Sequence, residues 1–282
     1  MIWVGEGEGE IGPLAAQERF SCQRRGDPAF PVRPLASPGV KDYRPETYGD
    51  RIAGVYDGLY EEVVAETDAA VDTLARLAGD GPVLELAIGT GRLALPLAAR
   101  GIDIEGIDAS EEMVAKLRDK PGGAAIPVTM GDFADVGVEG TFGLVYVAFN
   151  TFFALVTQED QVRCFANVAR HLAVGGRFVI EAFVPDATRW DGGQRTSTLA
   201  VELDRVDLEV ARHDPVTQTI DAQHVRVGPA GIELYPFRLR YAYPTELDLM
   251  ARLVGLTLQE RWGGWRGEPF TPASRRHVSV YG

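Results

Sequence analysis

The stretch that most narrows what this chain can become is VLELAIGTGRLALPLA, residues 83–98. Val83–Leu86 is an apolar run bounded by Gly81-Pro82 on one side and Gly89 on the other, so it reads as a short, fully buried strand. Glycines 89 and 91 then break the run, and residues 91–100 resume at helical spacing, with Pro96 bending that helix or sitting in its first turn. A buried strand, a glycine turn and a helix make the first half of a βαβ unit. If the pattern repeats, it commits the chain to a mostly parallel sheet.

The pattern does repeat. Upstream, apolar positions at Ile52, Val55, Leu59, Val63, Val71, Leu74 and Leu77 predict one or two helices before the first strand. Downstream, IDIEGID (102–108) is a second strand. SEEMVAKLRDK (110–120) is a helix with Ser110 as N-cap and acidic residues in its first turn. IPVTMGD (126–132) and FGLVYVAFN (142–150) are the third and fourth strands, residues 159–173 a helix, and GRFVIEAF (176–183) a fifth strand after a Gly-Gly turn. The last third changes character. Residues 198–214, 216–228 and 232–243 partly alternate between turn signals and predict an antiparallel meander. A helix follows over 244–255, opened by Pro244 and stopped by Gly255, and strands at 256–262 and 276–282 close the chain.

Composition excludes several function classes. The chain has 282 residues, 45% hydrophobic and 24% charged, with a formal net charge of −13 and a pI near 4.8. That balance, without any basic run, argues against a nucleic-acid partner. No apolar stretch reaches membrane-span length, and MIWVGEGEGE lacks the basic and apolar regions of a signal peptide, so a cytoplasmic protein without membrane association is expected. Two cysteines, Cys22 and Cys164, give neither a disulfide framework nor metal spacing, and no metal is expected; Cys164 reads as a small core residue. Residues 1–42 are rich in glycine and proline and read as a flexible extension, the rival being an arm that covers a partner subunit.

The glycine turn admits two readings. Gly89-x-Gly91-x-x-Ala94, with Asp108 ending the next strand, fits the loop that holds a dinucleotide pyrophosphate, and so an NAD(P)-dependent reductase. Three features favour another cofactor. Glu85 lies inside the first strand, where a carboxylate is costly without partners and suits a cationic ligand. Gly131-Asp132-Phe133 ends the third strand with an acid and an aromatic, which suits an exocyclic amine and the face of a purine. The closing pair of strands suits an antiparallel hairpin at the sheet edge.

Together, VLELAIGTGRLALPLA, GIDIEGIDAS, VTMGDF and GGRFVIEAF, in this order and at these separations, resemble the class I S-adenosylmethionine-dependent methyltransferases, with a layout similar to small-molecule and amino-sugar N-methyltransferases. The resemblance covers roughly residues 48–185 and 244–282. It implies an α/β fold with a seven-stranded Rossmann-like sheet, mostly parallel, ending in an antiparallel hairpin. It also implies a catalytic domain over 43–195 and 244–282, interrupted by a β-rich insert at 196–243. The implied cofactor is S-adenosylmethionine. By position, Glu85 matches the acid of the first motif, and Gly89 and Gly91 match the loop glycines, with Ala87 standing where many members have a glycine. Asp108 matches the ribose-binding acid, with Ala109 and Met113 near the adenine. Asp132 and Phe133 match the adenine pair, and residues 148–150, with Ala148 and Asn150, match the wall of the methyl-transfer site. Tyr56 matches a tyrosine that reaches the cofactor carboxylate. A non-catalytic cofactor-binding domain remains an alternative, and so does the reductase.

The acceptor side is less legible. Methyl transfer needs mainly orientation and exclusion of water, and no fixed catalytic signature, so no catalytic residue is assigned. Asn150 is not followed by the Pro-Pro-aromatic pattern of amide and nucleobase N-methyltransferases, which leaves N or O of a small molecule as the acceptor. Among the histidines, His171 suits a helix C-terminus, His213 reads as a turn residue, His224 as an exposed strand residue, and His277 as facing solvent. Arg238 and Arg240 share one face of the last insert strand and Phe237, Leu239 and Tyr241 the other; the arginine face is expected to be solvated, or to meet an anionic substrate if it roofs the cleft. RWGGWRGEPF (261–270) reads either as a substrate-rim loop or as a surface loop pinned by its tryptophans. The oligomeric state stays open, a homodimer included.

Overall fold

The computed structural model describes Val40 and residues 42–59, 64–135 and 137–282. The glycine-rich stretch up to residue 39, Cys22 included, lies outside the described residues. Among the described residues, three helices rather than one or two come before the first strand: α1 (Thr47–Ile52), α2 (Tyr56–Leu59) and α3 (Val64–Ala78). The strand–helix alternation then runs β1 (Val83–Leu86), α4 (Ala94–Ala99), β2 (Ile104–Asp108), α5 (Glu111–Arg118), β3 (Val128–Met130), β4 (Phe142–Val147), α6 (Gln158–His171) and β5 (Leu172–Phe183). Pro96 falls in the first turn of α4, where its missing N–H costs nothing, and Ser110 Oγ accepts from Met113 N at 3.2 Å to cap α5.

These strands form one sheet in the order β3-β2-β1-β4-β5, all parallel, extended by the closing pair β10 (Leu258–Trp262) and β11 (Arg276–Tyr281). β11 lies between β5 and β10 and is antiparallel to both. Helices α3 to α5 pack one face through Leu74, Leu97 and Leu117; α6 and α7 (Pro244–Leu253) pack the other through Cys164, Phe165 and Met250. Because both faces are covered, the central strands carry no polar alternation: all four residues of β1 are buried. The Gly-Gly pair expected to precede β5 instead lies inside it, next to an irregular register between Phe142 and Leu144.

The insert is a second sheet of four antiparallel strands, not three: β6 (Gln194–Val201), β7 (Val206–Asp214), β8 (Thr219–Gly228) and β9 (Gly231–Arg240), in that order. Residues 198–214, read from sequence as one strand, are two strands joined at Glu202, whose N–H donates to Arg205 O at 2.8 Å. That connection, Glu-Leu-Asp-Arg, contains neither glycine nor proline, so the usual turn signal was missing.

β9 packs on α1 and on the short 3-10 turn Thr151–Ala154 that follows β4, which sets the second sheet as a roof over the carboxyl ends of the first. Arg240 anchors it. Its buried guanidinium donates to Gln161 Oε1 on α6 (2.6 Å), Gln218 Oε1 (3.2 Å) and Glu246 Oε1 on α7 (2.6 Å). The expectation of an arginine pair on one solvated or substrate-facing side is therefore corrected for Arg240, whereas Arg238 does line the space between the two sheets. Arg240 is buried against α6 and α7, Arg238 pairs with Asp221 at 3.2 Å, and the Phe237, Leu239 and Tyr241 side turns to the interior.

Candidate active site

The roof and the carboxyl ends of β1 to β4 enclose a cleft of about 1510 Å3. A second cavity of about 40 Å3 shares Tyr56, Ala87, Gly89, Phe149 and Thr151 with the cleft and reaches Glu85 and Arg92. Every site residue expected from sequence lines one of these two spaces except Gly91. Gly91 has φ +80°, and a Cβ on it would stand 2.4 Å from Leu117 Cδ1, so it closes the turn against α5. Gly89, at φ +57°, has nothing within 4 Å of a Cβ position and leaves its backbone open to the cleft. Ala87 adopts φ +58°, a left-handed conformation that is strained for alanine.

Glu85 is 5% exposed, and its Oε2 has no hydrogen-bond partner; the neighbouring Tyr146 hydroxyl is buried without one as well. Burial pushes the Glu85 carboxyl up to about 8, against opposing pulls from Tyr146 and Arg92. A buried carboxylate with one oxygen unmet, beside a cationic guanidinium and a small cavity, fits a ligand end that carries both an ammonium and a carboxylate. Arg92 also stands over the Phe149 ring at 5.4 Å and donates to Thr67 Oγ1 at 3.3 Å.

Asp108, at the end of β2, is nearly buried. Its Oδ2 accepts from Gly89 N at 2.7 Å and its Oδ1 from Ser110 N at 2.9 Å, so one carboxylate ties the glycine turn to the start of α5. Burial raises its pKa, while the bonds from Ser110 and Gly89 oppose that shift. With Ser110 serving as the cap, the free lone pairs of Asp108 face the cleft beside Ala109. Met113 packs with Ile52 and Tyr235, Phe133 is buried at the cleft wall, and Asp132 Oδ1 accepts from Ala134 N at 2.8 Å.

Tyr56 lines both spaces from α2, which the next residue fastens to the glycine turn. Asp57 Oδ1 accepts from Thr90 Oγ1 and its Oδ2 pairs with Lys120 Nζ, each at 2.7 Å. Burial alone would raise the Asp57 pKa, but the bonds from Lys120 and Thr90 outweigh it and lower it.

At the end of β4, Ala148 borders the small cavity, and Phe149 and Asn150 both take left-handed conformations, φ +56° and +65°. Two such residues in sequence need outside support. Glu181 on β5 supplies it: its Oε2 accepts from Phe149 N at 2.8 Å and its backbone carbonyl from Asn150 N at 3.1 Å. Asn150 Oδ1 accepts in turn from Phe183 N at 2.6 Å. Burial raises the Glu181 pKa, with the Phe149 bond and Arg92 opposing.

Sequence reasoning passed over Arg92 and Glu181. The signal for Glu181 was the one already used for Glu85: a carboxylate inside an apolar strand that is buried on both faces. On the roof, His213 is not a turn residue but the buried end of β7, lining the cleft, and His224 is half-buried beside Glu209. His277 is fully buried because β11 is an interior strand, and burial, with Arg261 nearby, drives its pKa down to about 3. Trp265 packs into the core with its carbonyl accepting from Thr73 Oγ1 at 2.8 Å; neither Trp262 nor Trp265 lines the cleft, so the pinned-loop reading holds. Among the described residues no group of three or more His, Cys, Asp or Glu side chains is placed to hold a metal ion.

Comparison with known proteins agrees with this geometry. A methyltransferase domain family matches residues 83–176. The cypemycin N-terminal methyltransferase of a Streptomyces species is 30% identical over 199 residues, 70% of this chain and 81% of the relative. The CcbJ methyltransferase of Streptomyces caelestis superposes with a TM-score of 0.77 at 40% identity, covering 85% of this chain and 98% of that one. An amino pentose methyltransferase of Micromonospora echinaspora, solved with S-adenosylmethionine bound, superposes with a TM-score of 0.61 at 21% identity, over 80% and 96% of the two chains, a likeness of fold.

Proposed function

The chain belongs to the class I S-adenosylmethionine-dependent methyltransferases, and on that premise we propose that it methylates a nitrogen or oxygen, with an amine nitrogen preferred, of a small molecule held between its two sheets. The buried Glu85 carboxylate, whose Oε2 meets no hydrogen-bond partner, carries the cofactor half of this reading. Bound S-adenosylmethionine supplies an electrophilic methyl group. Glu85 would hold its ammonium, and Arg92 with Tyr56 its carboxylate. The Ala87–Gly91 turn would pass beneath its methionyl and ribose portions. Asp108 would take the ribose hydroxyls, and Ala109, Met113, Asp132 and Phe133 the adenine. Ala148 and Asn150 would border the methyl group. In that arrangement the chain's own work is to orient the acceptor and exclude water.

The roofed shape supports a small acceptor. A cleft of about 1510 Å3 is larger than the roughly 300–1,000 Å3 of a typical ligand pocket, which leaves room for an acceptor beside the cofactor. The Streptomyces relative is named as an N-terminal methyltransferase, which favours nitrogen. The net charge of −13 supports a partner other than nucleic acid, and no described helix is long and apolar enough to cross a membrane. A cytoplasmic enzyme with the insert at 196–243 as its acceptor-binding lid completes the proposal. A pyrophosphate would place anionic charge toward Glu85, which disfavours the reductase.

The test is calorimetric titration with S-adenosylhomocysteine and with NADP, followed by turnover of a dipeptide bearing a free N-terminal amine, a methyl amino-pentoside and their hydroxyl counterparts. Binding of S-adenosylhomocysteine with turnover of an amine is expected. Binding of NADP alone would overturn the reading.

A further inference from the structure

His213 stands where no role has been assigned to it. It is the last residue but one of β7 and is 6% exposed, on the wall of the cleft that also holds Asn150, Thr151 and Phe183. Two aromatic groups fix it. Trp190 stacks on it with ring centroids 4.7 Å apart and planes 25° from parallel. Tyr241 Oη lies 2.8 Å from its Nε2. Tyr241 is itself clamped, its N–H donating to Gln218 O at 3.0 Å and its carbonyl accepting from Gln218 Nε2 at 3.1 Å, just beyond the Arg240 anchor. This constellation belongs to the roof end that packs on the turn after β4, over the proposed methyl-transfer wall.

We propose that His213 Nδ1 takes the proton that the acceptor must release, an inference that rests on the small-molecule methyltransferase reading above. The acceptor lone pair forms the new bond to the methyl carbon while the electron pair of the old carbon–sulfur bond stays on sulfur. An acceptor amine that gains a methyl group this way carries one positive charge and one proton too many. That proton passes to His213 Nδ1, giving an imidazolium, and from there to solvent. Geometry selects the atom. Nε2 is occupied with Tyr241 Oη, so when its N–H donates there the Nδ1 lone pair is left for the cleft. The tyrosine oxygen then accepts from the imidazolium as it forms. Burial lowers the His213 pKa, with Asp214 opposing, so the ring is neutral and able to receive a proton near neutral pH. The groups facing it are Asp214 on its own strand, Tyr241 and, edge-on behind it, Tyr243 beyond β9, and Arg195 on β6, stacked on Trp190 at 5.2 Å. From β8 it meets Ile220, which is apolar.

His213→Gln keeps a polar partner for Tyr241 and removes the base. Using whichever amine of the panel wild type turns over, the variant is expected to lose about 100-fold in kcat, in line with a general base. Its S-adenosylhomocysteine affinity should stay within about twofold, and the acidic limb of the kcat–pH profile should disappear. Tyr241→Phe should move that limb and not abolish it. Independently of turnover, 15N spectra of histidine-labelled protein should show the neutral His213 ring protonated at Nε2. An Nδ1–H tautomer, or wild-type kcat in His213→Gln, overturns the proposal even where methyl transfer is confirmed. Binding of NADP without S-adenosylhomocysteine would instead bring down the reading beneath it.

Discussion

The floor and the roof of the cleft are built by opposite means. The floor is a sheet buried on both faces, in which apolar packing leaves a few carboxylates, Glu85, Asp108 and Glu181, at the strand ends. The roof is a half-exposed meander whose inner face is laced with ion pairs. Asp207 accepts from Arg226 at 3.0 and 3.1 Å, Glu209 pairs with Arg195, and His224 lies 3.4 Å from Glu209. These pairs are largely buried, so desolvation offsets much of their attraction, and the roof depends on the buried Arg240 cluster and on its aromatic contacts for its position. The difference teaches where chemistry can be read locally. The floor concentrates its polar groups at turns that follow a strand, whereas the roof assembles its groups from four strands and two helices.

The sharpest way to probe the floor is its pH dependence. Glu85 has an ordinary carboxyl pKa unfolded, 4.5, and about 8 in the fold. The proton is held more tightly in the folded state. The group therefore favours folding fully below about pH 4.5, and this contribution is lost as pH rises to about 8. The shift corresponds to about 5 kcal/mol. Urea unfolding of the cofactor-free protein at pH 5 and pH 8.5 should show a larger loss of stability for wild type than for Glu85→Gln. Equal losses would mean that Glu85 is paired.

For the roof, Arg240→Ala strands Glu246 and Gln161 and is expected to cost about 3 kcal/mol in denaturant unfolding. A cost below about 1 kcal/mol would mean that the roof is held by its aromatic contacts instead. Back on the floor, Glu181→Leu leaves the Phe149 N–H unpaired and should cost about 2 kcal/mol together with most turnover. Glu181→Gln retains an acceptor and should restore both; if it fails to, the charge rather than the hydrogen bond is what matters. Asp108→Ala should weaken S-adenosylhomocysteine binding at least tenfold, about 1.4 kcal/mol, by calorimetry. The smallest effect is expected from Ala87→Gly, which relieves a left-handed alanine and should raise stability by roughly 0.5 kcal/mol once the greater freedom of unfolded glycine is counted.

The floor was legible because its signals are local. A buried run followed by Gly89 and Gly91 specifies strand, turn and helix, and Asp108, Asp132 and Asn150 each sit at the end of a recognisable strand. Glu181 carried the same signal as Glu85, an acid in an apolar strand, and its role in supporting Phe149 appears only when β4 and β5 are seen side by side. The roof was read one strand short because residues 202–205 turn without glycine or proline. Three histidines were misjudged: His213 was read as a turn residue beside Asp214-Pro215, and His224 and His277 were read as exposed because the faces that cover their strands were unknown. His277 is the clearest case: β11 looks like an edge strand in the linear order and is an interior one in space.

By itself, then, the amino-acid sequence determined the order of strands and helices from β1 to β5, the glycine turn, and the acids that end β2 and follow β3, since propensity and periodicity act over a few residues. Tertiary structure alone decided which face of the insert looks inward, that Arg240 is an anchor, and that Trp190, His213 and Tyr241 meet. Trp190 and His213 are 23 positions apart, and His213 and Tyr241 are 28; no local preference encodes a pairing made only when two sheets close on each other.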